Sequence, residues 1–176
     1  MTSLRSIERN PTILDSITWV NTGDAPISLY KVKSWMKEEE SDNDADIDDL
    51  INEVIDLVEN SYYFTITDKT VTALWSSFDK KLTLPMAPVI EVTSVKVAGE
   101  EIDFHVNGNI IHFPHRRSGE LEVVYKTGWE TVPVGILLGL KKAILSAYED
   151  RQDVAGMSVE LIPGHSRQIF KKYRRY

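Results

Sequence analysis

The apolar positions change their period along the chain. In DIDDLINEVIDLVENSYY, Ile47, Leu50, Ile51, Val54, Ile55, Val58 and Tyr62 recur at spacings of three and four, which predicts one apolar stripe along an α-helix. Upstream, LYKVKSWMK puts Leu29, Val32 and either Trp35 or Met36 on one face of a shorter helix, with Ser28 as its N-cap. From Tyr63 to about Lys126 the period becomes two, and residues 64–66, 71–78, 90–97, 110–113 and 121–125 read as strands. Turn signals separate them: the two prolines of LPMAPV, the Ala98-Gly99 step and Asn107-Gly108-Asn109. Helical spacing returns in VPVGILLGLKKAILSAYEDR through Val134, Leu137, Leu140, Ile144, Ala147 and Tyr148, with Pro133 suited to a first-turn position.

These elements predict an α+β fold with three main helices, two N-terminal and one C-terminal, and a small antiparallel sheet between them. Residues 1–25 read as a flexible N-terminal arm in which Ile17 and Trp19 mark at most a short strand, residues 26–152 as the folded domain, and residues 153–176 as a C-terminal tail. The tail is expected to hold an irregular segment, a Pro163-Gly164 turn and a basic ending. A chain of 176 residues with 42% hydrophobic content is long enough for one domain with a real core.

The absence of cysteine removes disulfides and thiolate metal sites. Arg5, Glu8 and Arg9 stand where a secretory signal needs an apolar stretch, and the longest apolar run, VPVGILLGL, contains a proline and is too short to span a bilayer. A soluble protein without a membrane partner is expected.

Charge adds two features to this outline. The densest run of carboxylates, EEESDNDADIDDLINE, places Asp42, Asp44, Asp46 and Asp48 at positions 1, 3, 5 and 7 of an EF-hand loop, and Glu53 at position 12. Position 6, which must turn sharply, is the β-branched Ile47, and position 9 is Leu50, which has no side-chain oxygen. The apolar stripe already claims Ile47, Leu50 and Ile51 for a helix, so helix and calcium loop exclude each other. On the helix reading, Asp44 or Asp46 caps the first free N–H groups and the other acids sit near the positive end of the helix dipole.

The second feature is the ending HSRQIFKKYRRY. The chain carries −7, and the five cations of this segment, Arg167, Lys171, Lys172, Arg174 and Arg175, leave −12 on the remainder. An acidic body does not favour wrapping nucleic acid. Ile169, Phe170, Tyr173 and Tyr176 alternate with the cations, which suits a segment that docks into a partner, stacks on single-stranded nucleic acid, or packs back on its own body. Partner docking is the favoured reading, and a nucleic-acid-binding module using the basic aromatic tail is the alternative.

Catalytic signatures are missing. There is no Gly-rich phosphate loop, no GxSxG elbow and no HExxH helix. His112 and His115 flank Pro114 without nearby ligands at zinc spacing, and His105 and His165 stand alone. No cofactor, metal or catalytic residue is assigned, and an enzyme is not expected.

Four segments in order, PISLYKVKSWM, DIDDLINEVIDLVE, LTLPMAPVIEVTSVKV and GELEVVYKTGWETVPVGILLGLKKAILSAYEDR, together resemble the head-tail connector proteins, also called adaptor or head-completion proteins, of long-tailed bacteriophages. The most specific pieces are Leu84-Pro85 with Pro88-Val89 before a Val/Ser strand, Tyr125 with Gly128-Trp129 before a proline-started helix, and the Tyr148-Glu149-Asp150-Arg151 ending. The resemblance covers roughly residues 26–151, and PGHSRQIFKKYRR is similar to the short basic ending of that family.

The resemblance implies a structural virion protein, assembled in the host cytoplasm and located at the head-tail interface. Identical subunits would form a ring, dodecameric in such adaptors, joining the portal of the DNA-filled head to the head-closure or tail-completion protein. DNA would pass through the lumen without specific binding. It further implies that the tail, with Ile162, Arg167, Ile169, Phe170, Lys171, Lys172, Tyr173, Arg174 and Arg175, engages the portal. The surplus acids Glu38, Glu39, Glu40, Asp42, Asp44, Asp46, Asp48 and Asp49 are expected to line the channel or a subunit interface. Residues 1–25 have no part in the resemblance.

Overall fold

The computed structural model describes residues 12–152 and 162–173, the side chains of 150–152 excepted. The chain divides into two compact units, Met1–Val20 with Lys69–Thr127 and Asn21–Asp68 with Gly128–Tyr176.

The first unit is built of strands. β1 (Ile13–Asn21), β2 (Lys69–Ser77), β4 (Val89–Val97), β5 (Glu100–Glu101) and β8 (Leu121–Thr127) form a five-stranded sheet in the order β1-β2-β8-β4-β5. β3 (Lys81–Thr83), β6 (His105–Asn107) and β7 (Ile110–His112) form a second sheet in the order β3-β7-β6. β2 and β8 run antiparallel with Val71 opposite Tyr125 and Ala73 opposite Val123, so alternate residues of both strands face one core. The small sheet turns Leu82 and Ile111 toward that core, and Phe78 and Phe113 meet edge to face with centroids 5.2 Å apart. Ala98 and Gly99, with φ of 53° and 85°, close the two-residue turn between β4 and β5. Tyr125 is fully buried, and its phenol oxygen accepts the Met86 N–H at 3.2 Å. Burial pushes its pKa up to about 12.

The second unit is built of helices: α1 (Leu29–Met36), α2 (Asp44–Tyr62), α3 (Val134–Gln152) and α4 (Gly164–Lys171). The stripe from Ile47 to Tyr62 is buried as its spacing predicts, against Val32 of α1 and Ile136, Leu140, Ala143 and Ile144 of α3. The backbone is helical through Ile47, Leu50 and Ile51, where a calcium loop would turn.

Several expectations change. Residues 64–66 form no strand; residues 64–67 are all buried, and their backbone groups bond to side chains instead of a ladder. The Glu59 carboxylate accepts the Ile66 and Thr67 N–H groups at 2.6 and 2.9 Å, and the Trp129 indole N–H donates to the Thr65 carbonyl at 2.8 Å. The single small sheet is two sheets, because three-residue strands such as β3 and β6 are too short for alternation to reveal. β1 extends over nine residues within what reads as an arm. Pro163-Gly164 is the start of a fourth helix: Pro163 is its N-cap, and the Arg167 N–H donates to the Pro163 carbonyl at 3.0 Å.

Candidate functional site: acidic turn and basic helix

The acidic run begins where α1 ends. Ser28 caps α1, its hydroxyl accepting the Lys31 N–H at 3.5 Å, and Lys37 closes it in the left-handed region at φ 59°. The chain then doubles back into α2, and Lys33 holds the turn from the inside. Its ammonium donates to the Glu40 carbonyl at 2.7 Å and forms an ion pair with the Asp44 carboxylate. Tyr148 of α3 donates to Glu38 Oε2 and accepts from the Asn43 amide, both at 3.4 Å. Asp44 therefore serves as a partner of Lys33 and not as a cap. Asn43 occupies the cap position, but its side chain accepts no N–H of the first turn, and the expected capping by Asp44 or Asp46 is absent.

This arrangement sorts the predicted acids. Glu38 and Asp44 are half-buried and engaged, whereas Glu39, Glu40, Asp42, Asp46, Asp48 and Asp49 are exposed. A cavity of about 490 Å³ opens beside them, lined by Leu29, Tyr30, Lys33, Ser34, Glu38 and Glu39 among others. Two acids outside the predicted set continue the surface. Asp46, Asp49, Glu53 and Asp56 are all exposed at spacings of three, four and three, so they form one acidic stripe along the outer face of α2. That spacing is visible in the sequence, as the complement of the apolar stripe.

The basic ending is divided by α4. Ile162, Ser166 and Phe170 repeat every fourth residue and are buried in the helical unit. The Phe170 ring packs against Tyr62 and Phe64 at centroid distances of 5.4 and 6.4 Å. Tyr173 lies edge to face with Trp129 at 6.2 Å. Both rings lie over glycines of α3, Phe170 over Gly139 and Tyr173 over Gly135. The opposite face presents His165, Arg167, Gln168, Lys171 and Lys172 to solvent, and Arg167 Nε donates to the Ile162 carbonyl at 2.9 Å. Of the predicted docking residues, Ile162 and Phe170 are core, Ile169 and Tyr173 are half-buried, and Arg167, Lys171 and Lys172 are exposed. Arg174 and Arg175 lie outside the described residues. Phe170, being fully buried, offers no ring for base stacking.

Among the described residues, no three His, Asp or Glu side chains converge as metal ligands, and no helix is long and apolar enough to cross a membrane.

No family model matches the chain, and no curated protein matches it in sequence. Solved structures do match. A chain in the neck of an empty GTA particle, computed with C6 symmetry, superimposes with a TM-score of 0.68 at 15% identity, over 90% of this chain and 96% of that one. A chain in the neck of a native GTA particle, computed with C12 symmetry, gives 0.63 at 12% identity, over 90% and 96%. A chain in the virion of a native gene transfer agent (GTA) particle gives 0.66 at 13% identity, over 90% and 95%. The fold is that of chains in gene transfer agent necks, and the match takes in nearly the whole of both partners.

Proposed function

We propose that this chain is a structural neck protein of a virion or virion-like particle. Identical copies close into a ring, dodecameric in the assembled particle, that joins the portal of the DNA-filled head to the head-closure or tail protein and extends the DNA channel. The observation that carries this reading is the near-complete fold match to chains of neck assemblies with cyclic symmetry. The protein acts at the head-tail interface after assembly in the host cytoplasm, and its role is mechanical, without catalysis.

The charge distribution gives the ring a physical rationale. Cyclic closure joins two different faces of identical subunits, and opposite charges on those faces favour the closed register. The acidic stripe of α2 and the exposed cations of α4 are candidates for such faces. If the stripe faces the lumen instead, it keeps packaged DNA from adhering, since contact with carboxylates releases no counterions.

The exposed side of α4, with Arg167, Lys171 and Lys172, is the candidate portal contact. Removing the whole tail is an unsuitable test, because Ile162 and Phe170 belong to the core. Reversing the three charges to Glu leaves that core in place and is expected to abolish association with portal particles; unchanged association would reject the contact.

The function itself is tested by depleting the protein during particle production. DNA-filled heads without tails are expected to accumulate. Normal yields of tailed, infectious or DNA-transferring particles would contradict the proposal.

A further inference from the structure

Fixing a residue in one backbone conformation costs on the order of 1–2 kcal/mol of entropy, which strands recover through ladder bonds and burial. β1 recovers little among the described residues. Of its nine residues only Ile17 is half-buried, while Ile13, Leu14, Trp19 and Val20 are 46%, 42%, 52% and 69% exposed. Side chains alternate along a strand, so Ile13, Ile17 and Trp19 share one face and Leu14 and Val20 the other. Ile17 packs against the core of the strand-built unit, so its row continues the core face of the large sheet beyond the side chains that cover it. Trp19 carries one further contact, the Lys69 ammonium 5.8 Å from its ring centroid.

β1 is also the terminal strand of its sheet, and among the described residues it is bonded to β2 on one side only. Free edges are ordinarily blunted by lysine, proline, bulges or shortness. The other end of this sheet follows that rule: β4 has two register shifts, and β5 is two glutamates long. β1 does not. It contains neither lysine nor proline, and its one charged residue, Asp15, accepts the Ser76 hydroxyl at 3.0 Å.

We propose that β1 is a subunit contact: a neighbouring copy of this chain covers its open edge and the Ile13, Ile17 and Trp19 row. The choice of a second copy follows from the cyclic symmetry of the neck assemblies that share the fold. It rests on the ring reading given above. Two β1 strands pairing with each other would make a two-fold dimer, which ends growth, so in a ring β1 meets a different surface of the next subunit. Adding a strand satisfies the free N–H and C=O groups, and covering the row removes exposed apolar area from water.

The test uses the full chain with the Ile13→Asp and Trp19→Asp variants, both at exposed positions of that row, with thermal melts to establish that each variant folds. Assembly is followed by sedimentation, alone and on portal particles, and amide exchange of Ile13–Asn21 is compared between monomer and assembly. The proposal expects new protection in β1 on assembly, and a rise of more than about tenfold in the concentration for half-assembly of each variant. Wild-type-like assembly of both variants, with unchanged β1 exchange, overturns the contact and leaves the ring standing. Growth that stops at a dimer overturns the head-to-tail arrangement, and no assembly of wild type under either condition overturns the ring and the contact together.

Discussion

The ring of Phe170 lies directly over Gly139, so close that a β-carbon at position 139 would come within 2.7 Å of it. Phe170 is fully buried between this glycine, Tyr62 and Phe64, and its ring has little room to withdraw. Gly139→Ala gains about 1 kcal/mol in helix propensity but overpacks the site, at a cost of about 1–3 kcal/mol. A net loss of stability is expected in urea unfolding, larger for Gly139→Val. Combining Gly139→Ala with Phe170→Leu should cost less than the sum of the two single changes. Strict additivity would show that the two positions are not coupled.

Glu59 supports the buried passage between α2 and β2 by accepting two backbone N–H groups. Glu59→Ala strands both donors away from water, at about 1–3 kcal/mol each. Glu59→Gln keeps an acceptor oxygen and should lose distinctly less. Equal midpoints for the two variants in denaturant would contradict this role.

Tyr125 gives the fold an alkaline limit. Its pKa rises from the ordinary 10.0 to about 12 in the folded protein. Below pH 10 both states are protonated and this contribution to stability is intact. Between pH 10 and 12 the unfolded state loses the proton first, so stability falls as pH rises, by roughly 3 kcal/mol in total at about 1.4 kcal/mol per pH unit. Tyr125→Phe should remove this component of the decline, although it also leaves the Met86 N–H without its acceptor. An unaltered slope of stability against pH above 10 would exclude Tyr125 as its source.

The amphipathic elements were legible in the sequence because their burial is one-sided. The stripe from Ile47 to Tyr62 and the alternation of Val71, Ala73 and Trp75 both meet a single core. Residues 64–67 misled because they are buried on every side, where period carries no information. The core face of α4 was hidden by Ser166, a hydroxyl buried without a hydrogen-bond partner among the described residues, between Ile162 and Phe170. β1 buries too little to print a pattern at all. Within the acidic run, charge marked the region, but only geometry separates Asp44, paired with Lys33, from exposed Asp46 and Asp49. Glu53 closes that run and Asp56 lies beyond it, and both sit further along the helix than the acids expected to line a wall, which end at Asp49.

The most direct test of the ring is electron microscopy of the purified full-length protein mixed with portal particles. Class averages should show a closed ring with cyclic symmetry and an open axial channel, seated at one face of the portal. Portal particles without added density, with this protein remaining monomeric at concentrations well above those in an assembling cell, would contradict it.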